Sequence, residues 1–183
     1  MSNVNERCLE SFPAWLRTLG TDAEKLLELL AAPKLAESAR RIAAGGINYL
    51  FKSLDLVPDG IDDIGYLDDA FVMRVTADLM THEDTSGLGT EQLRDLGKLA
   101  NDCELIRAYL GDDYGRLEAY VTNLKRGSAR GRTVDDIVTD REVQGDFSQD
   151  VKSFSKGYQS PGFAREEKNL IKLKAFFDAK LPR

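Results

Sequence analysis

Between Leu54 and Asp69 the chain carries six carboxylates, Asp55, Asp59, Asp62, Asp63, Asp68 and Asp69, and no basic residue. Leu56, Val57, Ile61, Ile64 and Leu67 lie between them. Like charges 4 Å apart repel by about 1 kcal/mol in water and about 4 kcal/mol near a protein surface. A tight fold of this stretch therefore calls for something positive beside it. Lys52, Arg40, Arg41 and Arg74 are side chains that could serve, and a divalent cation is the other solution. An all-oxygen ligand set suits Mg²⁺ or Ca²⁺ rather than zinc.

Local structure accounts for part of the pattern. Pro58-Asp59-Gly60 is turn chemistry, and Val57, placed before a proline, is pushed to an extended backbone. Asp68 and Asp69 stand where a helix should begin, so its free N–H groups and dipole favour them, and Asp62 and Asp63 could do the same for a single helical turn. Known acidic motifs do not fit. With Asp59-Gly60 as the fifth and sixth positions of an EF-hand loop, the third would be Val57 and the twelfth Tyr66. There is no P-loop and no HExxH.

Asp55-Leu56-Val57-Pro58-Asp59, followed by Gly65-Tyr66-Leu67-Asp68-Asp69, resembles the signature of the YkvA-like family, a bacterial domain of unknown function. The match covers about residues 49–75. The resemblance implies a helical fold and marks Asp55, Asp59, Asp68 and Asp69 as the binding positions to expect, but supplies no reaction. Many members are membrane-associated through an apolar helix after the motif. Here that helix carries Arg74 and Asp78, Ser53 stands where a proline is common, and Asp62 replaces a usual proline in the spacer.

Other chemistry is sparse. Lys125, Arg126, Arg130 and Arg132 form a basic run that could touch phosphate, but no aromatic residue interleaves. A basic helix end passing into a solvated loop is the expected reading, and nucleic acid is not the expected partner. Asp78 and His82 are four apart on an expected helix, as two metal ligands can be, without a third in sequence. Cys8 and Cys103 have no CxxC spacing. With the polar start from Met1 to Glu10, they predict free thiols in a cytoplasmic setting.

The elements that must hold these residues read as helices. Leu9, Phe12, Leu16 and Leu19 share a face, with Pro13 as an expected break. Thr21 to Glu24 has the pattern of a capping box. Pro33 is expected to open a helix to about Leu50, and another should span Leu67 to about Met80. From Thr90, the stripe Leu93, Leu96, Ala100, Cys103, Ile106 and Leu110 predicts one amphipathic helix ending at Gly111. A further helix should run from Asp112/Asp113 to about Lys125, and a last one from Phe163 to Leu181. Residues 127–131 read as a linker, and no strand is expected. The fold class is thus all-α: a multi-helix bundle with a helical hairpin around the acidic turn, in a domain of residues 1–126 followed by a basic, partly irregular helical extension, 127–183.

Charge follows the same division. The chain has 183 residues and a net charge of −6. Residues 1–122 hold 12 Lys/Arg against 22 Asp/Glu, and residues 123–183 hold 13 against 9. Docking of the basic tail on the acidic body is the expected consequence. No apolar stretch approaches the roughly 20 residues of a membrane span. The single histidine and the missing nucleophile–base pair favour action by protein–protein contact or self-association rather than catalysis. The alternative is Mg²⁺ or Ca²⁺ binding in the acidic turn.

Overall fold

A computed structural model describes residues 3–183. The protein is all-α. Its only β structure among the described residues is a hairpin of two short strands, β1 (Ser128–Ala129) and β2 (Arg132–Thr133). No helix in this span is long and apolar enough to cross a membrane.

The helix α3 (Leu67–Thr81) lies at the centre and is buried on every side from Leu67 to Ala77. The helices α1 (Asn3–Leu30), α2 (Glu37–Asn48) and α4 (Thr90–Asn101) pack around it. One close approach fixes α2 against α3. A Cβ on Gly46 would stand 2.0 Å from the Thr76 hydroxyl, so only glycine lets the backbones meet there.

Three expected boundaries move. α1 runs unbroken through Pro13, which is buried within it, and carries Phe12, Trp15 and Leu16 into the core. Thr21 to Glu24 therefore lies inside a helix and caps nothing. Asp22 instead accepts from Thr18 Oγ1 and from Arg74 Nη2. Pro33 opens no helix, because the chain turns and α2 starts only at Glu37. Arg40 fixes that turn by donating to the carbonyls of Ala32 and Leu35. The stripe from Thr90 is broken into α4 and α5 (Cys103–Leu110) at Asp102, whose carboxylate is drawn to Arg74 Nε at 2.8 Å.

Beyond α6 (Asp113–Asn123) and a 3₁₀ turn at Leu124–Arg126, the expected linker is the hairpin. Residues 133–156 are more regular than their composition suggests. A reciprocal Thr133–Asp136 cap starts α7 (Val134–Thr139), and Asp140 caps α8 (Arg141–Gly157). With α9 (Glu167–Lys180), they bring Phe147, Val151, Leu170, Leu173 and Phe177 into the same core as α1 and α3. Phe177 stacks on Phe71 at 5.2 Å. Docking of the tail is thus apolar. The ion pairs that cross to it, Arg41–Asp135 and Arg116–Asp178, run from a cation of the body to a carboxylate of the tail, opposite to the expected direction.

Two glycines should respond oppositely to alanine. Gly46→Ala is expected to destabilise by about 1–3 kcal/mol through overpacking against Thr76. Gly97→Ala, in α4 with open space around it, should stabilise by about 0.5–1 kcal/mol. Urea unfolding followed by circular dichroism reads both.

Candidate functional site

The acidic turn is built on one oxygen. Asp68, in the first turn of α3, has no exposed surface. Its Oδ2 accepts from the Tyr49 hydroxyl at 2.6 Å and from the Val57 N–H at 2.9 Å. The Tyr49 hydroxyl accepts in turn from the Leu56 N–H at 2.8 Å. Val57 is held extended by the proline after it, which leaves its N–H free to point away from any local turn. Tyr49 opens the 3₁₀ turn Tyr49–Phe51 that ends α2. End of α2, turn and start of α3 are joined at this point.

Asp68 and Asp69 are therefore not simple helix caps. The N-cap residue is Tyr66, in the left-handed region (φ 64°), and it makes no side-chain cap. Gly65 before it is required by space, since a Cβ would fall 2.2 Å from the Asp59 carbonyl oxygen. Asp63, also at positive φ (69°), does not cap a local helical turn either. It accepts from the Ala164 N–H at 2.7 Å and ties the turn to the chain before α9. Asp62 is exposed.

Asp55, Asp59, Asp68 and Asp69 lie near enough to feel one another's charge, but no three of them are disposed to hold a metal ion. Burial pushes the Asp55 carboxyl up to about 6, with the charge of Asp59 adding to it and Lys52 opposing. Burial raises Asp68 and Asp69 above the carboxylate range, and the charges of Asp55 and Asp59 add to both. Asp59 is raised by partial desolvation, and the neighbouring Tyr66 hydroxyl moderates this. Asp68 Oδ1 and Asp69 Oδ2 are buried with no hydrogen-bond partner among the described residues.

The expected basic neighbours are engaged elsewhere. Arg40 holds the carbonyls before α2, and Arg41 holds Glu37 and Asp135. Arg74 is buried between Asp22 and Asp102, with its guanidinium 4.4 Å from the Trp15 ring centre. Of the four, only Lys52 acts on the turn, through Asp55.

Sequence reasoning missed the aromatic surroundings. Tyr49, Tyr66, Tyr120 and Tyr158 all feel charges of this carboxylate cluster, and burial raises the Tyr120 hydroxyl to about 12. Tyr49 and Tyr66 bracket the turn in sequence, which was a usable signal. Tyr120 and Tyr158 arrive from α6 and the end of α8, and nothing local announces them.

No family model matches the chain, nor does any curated protein or solved structure. The geometry alone carries the functional reading.

The remaining candidates separate. No group of three or more His, Cys, Asp or Glu among the described residues is disposed to hold a metal ion, and this includes the Asp78–His82 face. Cys8 and Cys103 are buried, and desolvation pushes both thiols up to about 12, so both are protonated at neutral pH. Arg130 and Arg132 meet over the Phe51 ring, while Lys125 and Arg126 are exposed on the 3₁₀ turn.

A carboxyl raised in the folded state favours the native protein below its ordinary value, and that stability is lost as pH rises through the folded value. For Asp55 the window runs from 3.8 to about 6, and Asp68 and Asp69 extend it upwards. In metal-free buffer the melting temperature should rise as pH falls from 7 to 5, and Asp69→Asn should flatten the rise. Tyr49→Phe should cost about 1–3 kcal/mol at neutral pH, because it leaves the buried Leu56 N–H without an acceptor.

Proposed function

We propose that the acidic turn takes up a divalent cation, Mg²⁺ or Ca²⁺, and that the chain works as a binding protein whose turn closes around that ion. The observation that carries this is the pair of buried, unpartnered oxygens, Asp68 Oδ1 and Asp69 Oδ2, with Asp55 and Asp59 beside them and only Lys52 opposing. A buried carboxylate is stable only when protonated, paired or bound to a metal. No arginine supplies the pair. Carboxylate oxygens suit a hard cation. Since no three side-chain ligands stand ready, uptake would draw Asp55 and Asp59 towards the buried pair, so that binding and closure of the turn are one event.

A second reading is contact with a protein partner or self-association through the same turn. It is supported by Leu54, which is 82% exposed at the edge of the turn.

Thermal unfolding at pH 7.5 in EDTA, Mg²⁺ and Ca²⁺ separates the two. An ion present at 100 times its dissociation constant stabilises by about 2.7 kcal/mol. At this size, each kcal/mol raises the midpoint by about 2–4 °C. The rise should vanish in Asp69→Asn. No shift at millimolar metal would remove the cation reading. Leu54→Ser should then be the variant that loses partner capture or self-association, with the melting temperature unchanged.

A further inference from the structure

Residues 158–166, which join α8 to α9, run beside the acidic turn. Pro161 and Gly162 form one wall of a cleft of about 350 Å³, and the turn from Asp59 to Asp63 forms the other. Asp59, Asp62 and Asp63 are the ionisable groups of its walls, so the cleft draws cations.

The same segment reaches the buried carboxyls. The Tyr158 ring meets the Tyr66 ring edge-on at 5.3 Å, and Tyr66 is the residue that leads α3 into Asp68 and Asp69. Burial raises the Tyr158 hydroxyl, a hydrogen bond with Ser160 opposes this, and the charges of Asp69 and Asp59 add to the rise. Tyr158 thus stands in the field of Asp69, whose Oδ2 has no partner among the described residues.

The segment is held firmly only at its ends. The Tyr158 hydroxyl donates to the Leu16 carbonyl at 2.8 Å, and Asn169 Nδ2 donates to the Ala164 carbonyl at 2.8 Å. No residue from 158 to 166 is buried, and none lies in a helix or strand. A single hydrogen bond among the described residues ties the segment to the turn: the Ala164 N–H donates to Asp63 Oδ1 at 2.7 Å. Few buried contacts and exposed hydrogen bonds mark a segment that opens at a lower free energy than the whole fold. Tyr49, which is fully buried, and Tyr120, which stands on α6, approach the same carboxylates from firmer elements.

We propose that residues 158–166 are a strap that gates entry to the buried carboxyls of Asp68 and Asp69, with the Asp63–Ala164 hydrogen bond as its latch. On the cation reading, on which this rests for what enters, an ion gathered in the cleft passes under the raised strap, which then closes again. A strap that is closed both with and without the ion sets how fast the ion comes and goes, not how tightly it is held.

Thiol labelling in metal-free buffer tests the gate without any ion. Asp69→Cys places a thiol at the buried position, and the buried Cys8 and Cys103 report global unfolding in the same molecule. The introduced thiol should react with a disulfide reagent faster than either of them. Adding Asp63→Gly, which suits the positive φ of 69° but removes the acceptor, should speed that reaction about tenfold, the worth of one charge-assisted hydrogen bond. Asp63→Asn, which keeps an acceptor oxygen, should stay near the parent rate, and circular dichroism checks that each variant is folded. In the unaltered chain, the Ala164 amide should exchange its hydrogen by local opening, at a rate that low urea leaves unchanged. With Mg²⁺ or Ca²⁺, Asp63→Gly should speed ion association and dissociation together and leave the Kd nearly the same. An introduced thiol no faster than Cys8 and Cys103, an Asp63→Gly rate equal to its parent's, or an Ala164 amide that exchanges only on global unfolding would overturn the strap. Absence of any metal-induced rise in melting temperature, with the labelling result intact, would remove the cation reading and leave the gate standing.

Discussion

Asp68 Oδ2 is where the fold is tied. The oxygen has no access to water, so its donors must come from the protein. Tyr49 brings the end of α2, Val57 brings the turn, and Asp68 itself begins α3. Residues 52–66 form no regular helix or strand, so little else fixes their path. The central helix takes its starting point from that contact and its spacing from Gly46 against Thr76. At its far face, Arg74 repeats the logic with opposite charge: a buried guanidinium draws Asp22 from α1 and Asp102 from the junction of α4 and α5. The core is apolar, but its helices are registered by two polar nodes on one helix, spaced six residues apart.

The two nodes differ in how well they are satisfied. Arg74 donates to two carboxylates and to the Ala70 carbonyl. At the acidic node, one oxygen of Asp68 is saturated and its other oxygen is not, and Asp69 Oδ2 has no partner. An ionised carboxylate left unpaired at such depth costs several kcal/mol even after relaxation. The fold meets that cost most cheaply by keeping a proton there, which is why these carboxyls are raised while the paired Asp136 is lowered. A helix start that needed only caps would have used exposed carboxylates, as α7 does with Asp136 and α8 with Asp140. Asp68 is buried because Tyr49 and Val57 donate to it, whereas no contact within the turn accounts for the burial of Asp69 Oδ2.

The helical architecture was legible in the sequence because its apolar stripes have helical period: Leu9, Phe12, Leu16 and Leu19 all face the core, as do Leu96, Cys103, Ile106 and Leu110. Local signals failed where tertiary contacts outweighed them. Pro13 costs a helical hydrogen bond, but Phe12, Trp15 and Leu16 beside it are buried in the core, and that packing holds the helix together. The capping pattern at Thr21 lost to the pull of Arg74 on Asp22, and the continuous stripe after Thr90 lost to the same guanidinium acting on Asp102. At the site, the four carboxylates could be picked out by type and spacing. What faces them could not, because Tyr120 and Tyr158 lie far along the chain, and because the fates of Arg40, Arg41 and Arg74 depend on carbonyls and carboxylates that no local pattern names.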